Sequence, residues 1–148
     1  MKINFTKKQF ESLLKLVYLG EWMANAHRID DVIEKYKEML FYIFSFAEEF
    51  GFEKYVDNKS VNNGKSYPTR FFEEETDINK LHDEYDDDTF WDELVDRLTY
   101  RDFIKKYGVK TIEKMSREER WKKLSELENK YADEIEIYGI NRLEIMNK

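Results

Sequence analysis

The segment Phe5-Thr6-Lys7-Lys8-Gln9-Phe10 decides how the rest of the chain is read. Thr6 is a candidate N-cap, and Gln9, three residues on, can return a side-chain hydrogen bond to the cap. Phe5 and Phe10 occupy the two positions of a hydrophobic staple across the same turn. A helix therefore begins here and runs to about Arg28. Phe10, Leu13, Leu14, Val17 and Tyr18 line one side of it, and Leu16, Leu19, Trp22 and Met23 the other. A helix that is apolar on most faces lies centrally in its domain.

Three more long helices are expected further along. From Asp30 or Asp31 to Phe50, ten residues including Val32, Tyr36, Leu40, Ile43, Phe44 and Ala47 share one arc at 100° per residue. Asp57 to Pro68 reads as a loop; Asn63-Gly64 is a hairpin-turn signal, but its flanks are too polar for strands. Thr76 or Asp77 caps a short acidic helix to about Asp87. Asp88 or Thr89 then opens the third long helix, with Phe90, Trp91, Leu94, Val95 and Leu98 as its apolar arc. Ser116 and Glu119 form a second capping-box pair ahead of the stripe Trp121, Leu124, Leu127, Tyr131, Ala132, Ile135 and Tyr138. Gly51, Gly108 and Gly139 each follow the last periodic residue of a helix, where a left-handed stop belongs.

Agreement between caps, periodicity and stops predicts an all-α fold. The expected architecture is a single helical bundle over residues 1–148: four long helices plus a short acidic helix. The tail from Asn141 to Lys148 is either a short helix or an extended piece.

Composition bounds the function. The 148 residues suit one domain, and 41% hydrophobic content gives enough apolar material for a core. The absence of cysteine removes disulfides, thiolate metal sites and cysteine nucleophiles. Met1 to Phe5 lacks the apolar run of a secretory leader, and Met39 to Phe46 is far shorter than a membrane span. A cytoplasmic location without membrane insertion is the expectation.

Net charge is −7, but it is unevenly placed. Glu73 to Asp102 holds thirteen acidic residues against three basic ones, a net of −10, so the rest of the chain carries +3. Acidity opposes direct nucleic-acid binding, which depends on neutralising phosphates. A basic cluster from Lys105 to Lys123 is diluted by Glu113, Glu118 and Glu119 and reads as a solvated helical face.

Catalytic signatures are absent: there is no glycine-rich phosphate loop, no G-x-S-x-G elbow and no H-E-x-x-H. Ala24 and Asn79 stand three residues before the two histidines, where a di-iron bundle needs glutamates. No catalytic residue is assigned and no cofactor is expected. His82 and Asp86, four apart on a helix, are the nearest approach to a metal pair. Otherwise Asp83, Glu84, Asp86, Asp87 and Asp88 form a solvated acidic surface and favour the dipole of the helix that follows.

A polar set is the second candidate. Glu21, Asn25 and Arg28 continue one face of the first helix, while Arg101 and Asp102 fall on the apolar arc of the third. Either that helix breaks near Thr99 or these charges turn inward and need partners. The five residues are read as an internal ion-pair cluster, a tapering surface, or the lining of a pocket.

Two function classes follow. In the first, the chain is a small non-enzymatic interaction or regulatory protein whose acidic helical surface binds a protein partner. In the second, it is a small metal- or ligand-binding enzyme with a polar site between the first and third long helices. The first is favoured, and oligomeric state is left open.

Overall fold

A computed structural model describes residues 2–58 and 64–144. The fold is all-α: helix makes up 72% and sheet almost nothing. In chain order the elements are α1 (Lys7–Asn25), α2 (Glu34–Phe44), β1 (Val56–Asp57), β2 (Tyr67–Pro68), α3 (Arg70–Glu75), α4 (Ile78–Tyr107), α5 (Val109–Lys114) and α6 (Arg117–Tyr138). They form two compact units, one up to Asp83 and one from Glu84 onward.

The first unit starts as its sequence announces. Thr6 Oγ1 accepts from the Gln9 N–H at 3.3 Å, and Gln9 Oε1 accepts from the Thr6 N–H at 2.9 Å. The Phe5 and Phe10 rings meet at 6.4 Å. α1 lays Phe10 and Leu14 against Leu40, Phe41 and Phe44 of α2 and Phe72 of α3. Phe72 is fully buried among rings, with Phe44 at 5.3 Å, Tyr55 at 5.3 Å and Tyr18 at 5.4 Å. Edge-to-face pairs of this kind add to the gain from burial alone.

α2 is shorter than its periodicity implies. It starts at Glu34 and ends at Phe44, and a 3-10 turn at Glu48–Phe50 completes the segment. The Ser45 hydroxyl donates to the Tyr42 carbonyl at 2.6 Å, a local bond that competes with helix propagation. The turn sets Phe50 flat on Phe10 at 3.9 Å before Gly51 reverses the chain at φ 74°.

The polar segment after Phe52 carries more structure than its composition suggests. β1 and β2 pair antiparallel, Val56 opposite Pro68 and Asp57 opposite Tyr67. Asn63, half of the hairpin signal, lies outside the described residues, whereas Gly64 has the positive φ that such a turn requires. Thr69 then caps α3 by accepting from the Phe72 N–H at 3.2 Å.

The short acidic helix and the third long helix are one element. α4 runs unbroken through Asp88 and Thr89, and through Thr99. Cap-forming residues stop a helix only where the backbone also leaves helical geometry; in mid-helix their cost is a few tenths of a kcal/mol.

In the second unit, α4 and α6 run antiparallel, joined through α5. Gly108, at φ 75°, turns the chain out of α4. Lys123 Nζ lies 4.6 Å from the Tyr107 ring centre, and a Cβ added to Gly139 would sit 3.8 Å from the Trp91 ring. Ser116 caps α6 at 3.1 Å from the Glu119 N–H, while the Glu119 carboxylate pairs forward with Lys123 at 2.7 Å. Among the described residues of this unit only Thr99 and Phe103 are buried. Trp121, the first residue of the expected apolar stripe of α6, is 69% exposed. Asn141 to Glu144 continue in turns and coil, and the rest of the tail lies outside the described residues.

Candidate interaction surface

The polar candidates fall into two local networks, one in each unit. In the first, Asn25 is buried at the end of α1. Its Nδ2 donates to Glu21 Oε1 at 3.0 Å and to the Ile33 carbonyl at 3.4 Å, and its Oδ1 accepts from the Ile33 N–H at 2.8 Å. Arg28 Nε donates to the Ala24 carbonyl at 2.8 Å, and its Nη1 pairs with Asp31. These bonds tie the turn between α1 and α2 and satisfy backbone groups that a helix end leaves open.

In the second unit Arg101 Nε donates to Asp102 Oδ1 at 2.8 Å, and the Tyr131 hydroxyl donates to Asp102 Oδ2. The Arg101 hydrogen bond, followed by that of Tyr131, holds the Asp102 carboxyl at about 2, well below its ordinary value. Burial and the bond to Asp102 push the Tyr131 phenol up. The charges on the arc of α4 therefore neither break the helix nor enter a core; they clamp α4 to α6.

The metal candidates part in the same way. His82 is held by stacking, 4.1 Å from the Trp22 ring and 5.8 Å from Tyr18, with Nε2 shielded from solvent and without a hydrogen-bond partner among the described residues. Asp86 is exposed. No cluster of three or more metal-ligating side chains occurs among the described residues. Tyr18 OH donates to Glu73 Oε1 at 2.7 Å, and burial together with this bond raises its pKa.

Asp83, Glu84, Asp86, Asp87 and Asp88 are all exposed along α4. Asp87 Oδ1 accepts from the Trp91 indole N–H at 3.0 Å. Next to them the apolar arc of α4 divides. Trp91, Val95 and Leu98 turn towards α6. Phe90 and Leu94 instead line a separate shallow groove with Asp86, Thr89, Glu93 and Arg97. Phe90 is 53% exposed. By periodicity all five residues share one apolar arc. Phe90 and Trp91 stand 100° apart on the helix, their rings meeting edge to face at 4.9 Å, and it is Trp91 that lies beside α6.

The rim of this groove holds Asp86 and the Glu93–Arg97 ion pair, 2.9 Å apart. No protein-family model, curated protein or solved structure matches the chain.

Proposed function

We propose that the chain works by binding a protein partner through α4, with the acidic residues Asp83 to Asp88 drawing the partner in and the Phe90–Leu94 groove supplying apolar contact. One observation carries this reading: the second unit leaves large side chains in water while burying almost none. Tyr85, Phe90, Tyr100, Ile104, Trp121 and Ile137 all exceed 40% exposure, against a single buried apolar residue among its described positions. Monomeric surfaces scatter exposed apolar residues singly; a run of them along one hairpin, edged with charge, is the composition of a docking face. Electrostatic complementarity then sets the association rate and the partner's sign.

The test uses the wild-type protein beside a variant carrying Asp→Lys at Asp83, Asp86, Asp87 and Asp88. A partner identified from the host and reconstituted with purified protein binds the wild type, weakens with added salt and is lost in the variant. A partner that binds both proteins equally, independent of salt, removes the acidic surface from the mechanism.

A further inference from the structure

We propose that the partner of the α4 surface is a second copy of this chain, docked antiparallel across a two-fold axis near the middle of α4. This rests on the preceding reading of α4 as a binding surface and names what binds there. The side of α4 that carries Phe90 and Leu94 changes sign along its length. Its first half presents Asp86, Phe90, Glu93 and Leu94; its second half presents Arg97, Tyr100, Arg101, Ile104 and Lys105. At 100° per residue these positions lie on one face. The face is exposed: Phe90, Tyr100 and Ile104 are 53%, 55% and 47% exposed, the last two beside Val109 and Ile112 of α5, and Arg97 and Arg101 are exposed while pairing within the chain with Glu93 and Asp102.

A two-fold axis reverses the helix and so sets each half against its opposite. With the axis passing between Val95 and Asp96, Asp86 of one copy faces Lys105 of the other, and Phe90 faces Arg101. Leu94 packs on the aliphatic stem of Arg97, and Glu93 falls among Arg97, Tyr100 and Arg101. The Phe90–Arg101 pairing places a guanidinium over a ring. A parallel pairing has none of this, since Asp86 would meet Asp86 and Lys105 would meet Lys105. The polarity continues beyond the face. Residues 84–98 carry −6, and residues 105–123, from the last turn of α4 through α5 into α6, carry +5. Both copies contribute the same patch, so the assembly closes as a dimer and does not extend into a fibre.

The experiment combines sedimentation equilibrium with charge-reversed faces. The wild type is expected at twice the 18.2 kDa chain mass, falling towards one chain mass as salt rises. Variant one carries Asp86→Lys and Glu93→Lys; variant two carries Arg97→Glu and Lys105→Glu and leaves Arg101 in its bond to Asp102. Each alone has a dissociation constant raised about a hundredfold or more by like-charge contact, and an equimolar mixture recovers the dimer. A folding defect gives no such recovery. Orientation is read from Asp86→Cys and Lys105→Cys, which are the sole cysteine in each variant chain. A mixture cross-links under mild oxidation and each alone does not; cross-linking of each alone overturns the antiparallel arrangement. A monomeric wild type overturns the proposal. If that monomer still captures a salt-sensitive partner lost in the Asp→Lys variant, the binding role of α4 stands without self-pairing. If it captures none, both readings fall.

Discussion

The two units use similar residues to opposite ends. Up to Asp83, aromatic side chains converge: Phe10, Phe44, Phe72 and their neighbours form one buried cluster fed by α1, α2 and α3. From Glu84 onward, Phe90, Tyr100 and Trp121 lie largely in water on helices that meet along one seam. Hydrophobic content alone does not separate the two. What differs is the number of elements available to cover each helix. α1 has neighbours on several sides, whereas α4 within the second unit has α6 and the short α5. An antiparallel helical pair buries one stripe per helix, and any apolar residue 100° away from that stripe stays outside.

The sharpest way to break this contrast is to hollow the first unit. Phe72→Ala is expected to cost about 3–5 kcal/mol, read as a lower urea midpoint, because its pocket is ringed by other aromatic side chains and collapses poorly. A cost below about 1 kcal/mol would mean that the core is much looser than its burial implies.

Asn25→Ala follows, at about 1–3 kcal/mol, since both the N–H and the carbonyl of Ile33 lose their side-chain partner at a buried turn. Asn25→Asp keeps the acceptor for the Ile33 N–H but loses both donated bonds, so it should recover only part of the loss.

The second unit should answer to its clamp instead of a core. Tyr131→Phe is expected to cost about 0.5–1.5 kcal/mol, the worth of one hydrogen bond. Asp102 supplies the pH dependence. Its carboxyl is held at about 2 when folded, against about 3.9 unfolded, so its stabilisation is complete above the unfolded value and disappears as pH falls through the folded one. The protection of α6 amides against hydrogen exchange, taken relative to the intrinsic rate at each pH, should therefore fall between about pH 4 and pH 2, and Asp102→Asn should remove that step while weakening the unit at neutral pH.

The smallest effect is the most telling for function. Phe90→Ala should change the folding stability of the free chain by no more than about 0.5 kcal/mol, because the ring is half in water already. A loss comparable to that of Phe72→Ala would make Phe90 a core residue and remove the docking face.

Much of this architecture was legible in the residues. The capping box at Thr6, the cap at Ser116 and a positive φ at Gly51, Gly108 and Gly139 are all present, since each depends on a few neighbouring atoms, although only Gly51 takes the left-handed helical conformation and it ends the 3-10 turn after α2. What escaped the sequence was settled partly by local competition and partly by partners distant in the chain. Ser45 ends α2 early with a bond to Tyr42, and the turn that follows is fixed by Phe50 stacking on Phe10. Asp88 and Thr89 look like a helix start, yet α4 passes through them. The site was legible as a list of exposed acids on a helix. Its apolar half was not, because periodicity shows that Phe90 and Trp91 are both apolar without showing that only one has a helix to cover it.

The chain's three tryptophans offer a use of their own. Trp22 stacks on His82 in the first unit, Trp91 donates its indole N–H to Asp87 in the second, and Trp121 stands in solvent. Each therefore has a different optical environment, and none needs to be introduced. With Trp91 and Trp121 replaced by Phe, ultraviolet emission reports the first unit alone; with Trp22 replaced, it reports the second. The protein thus carries built-in labels by which the melting of each half can be followed in its own tryptophan variant.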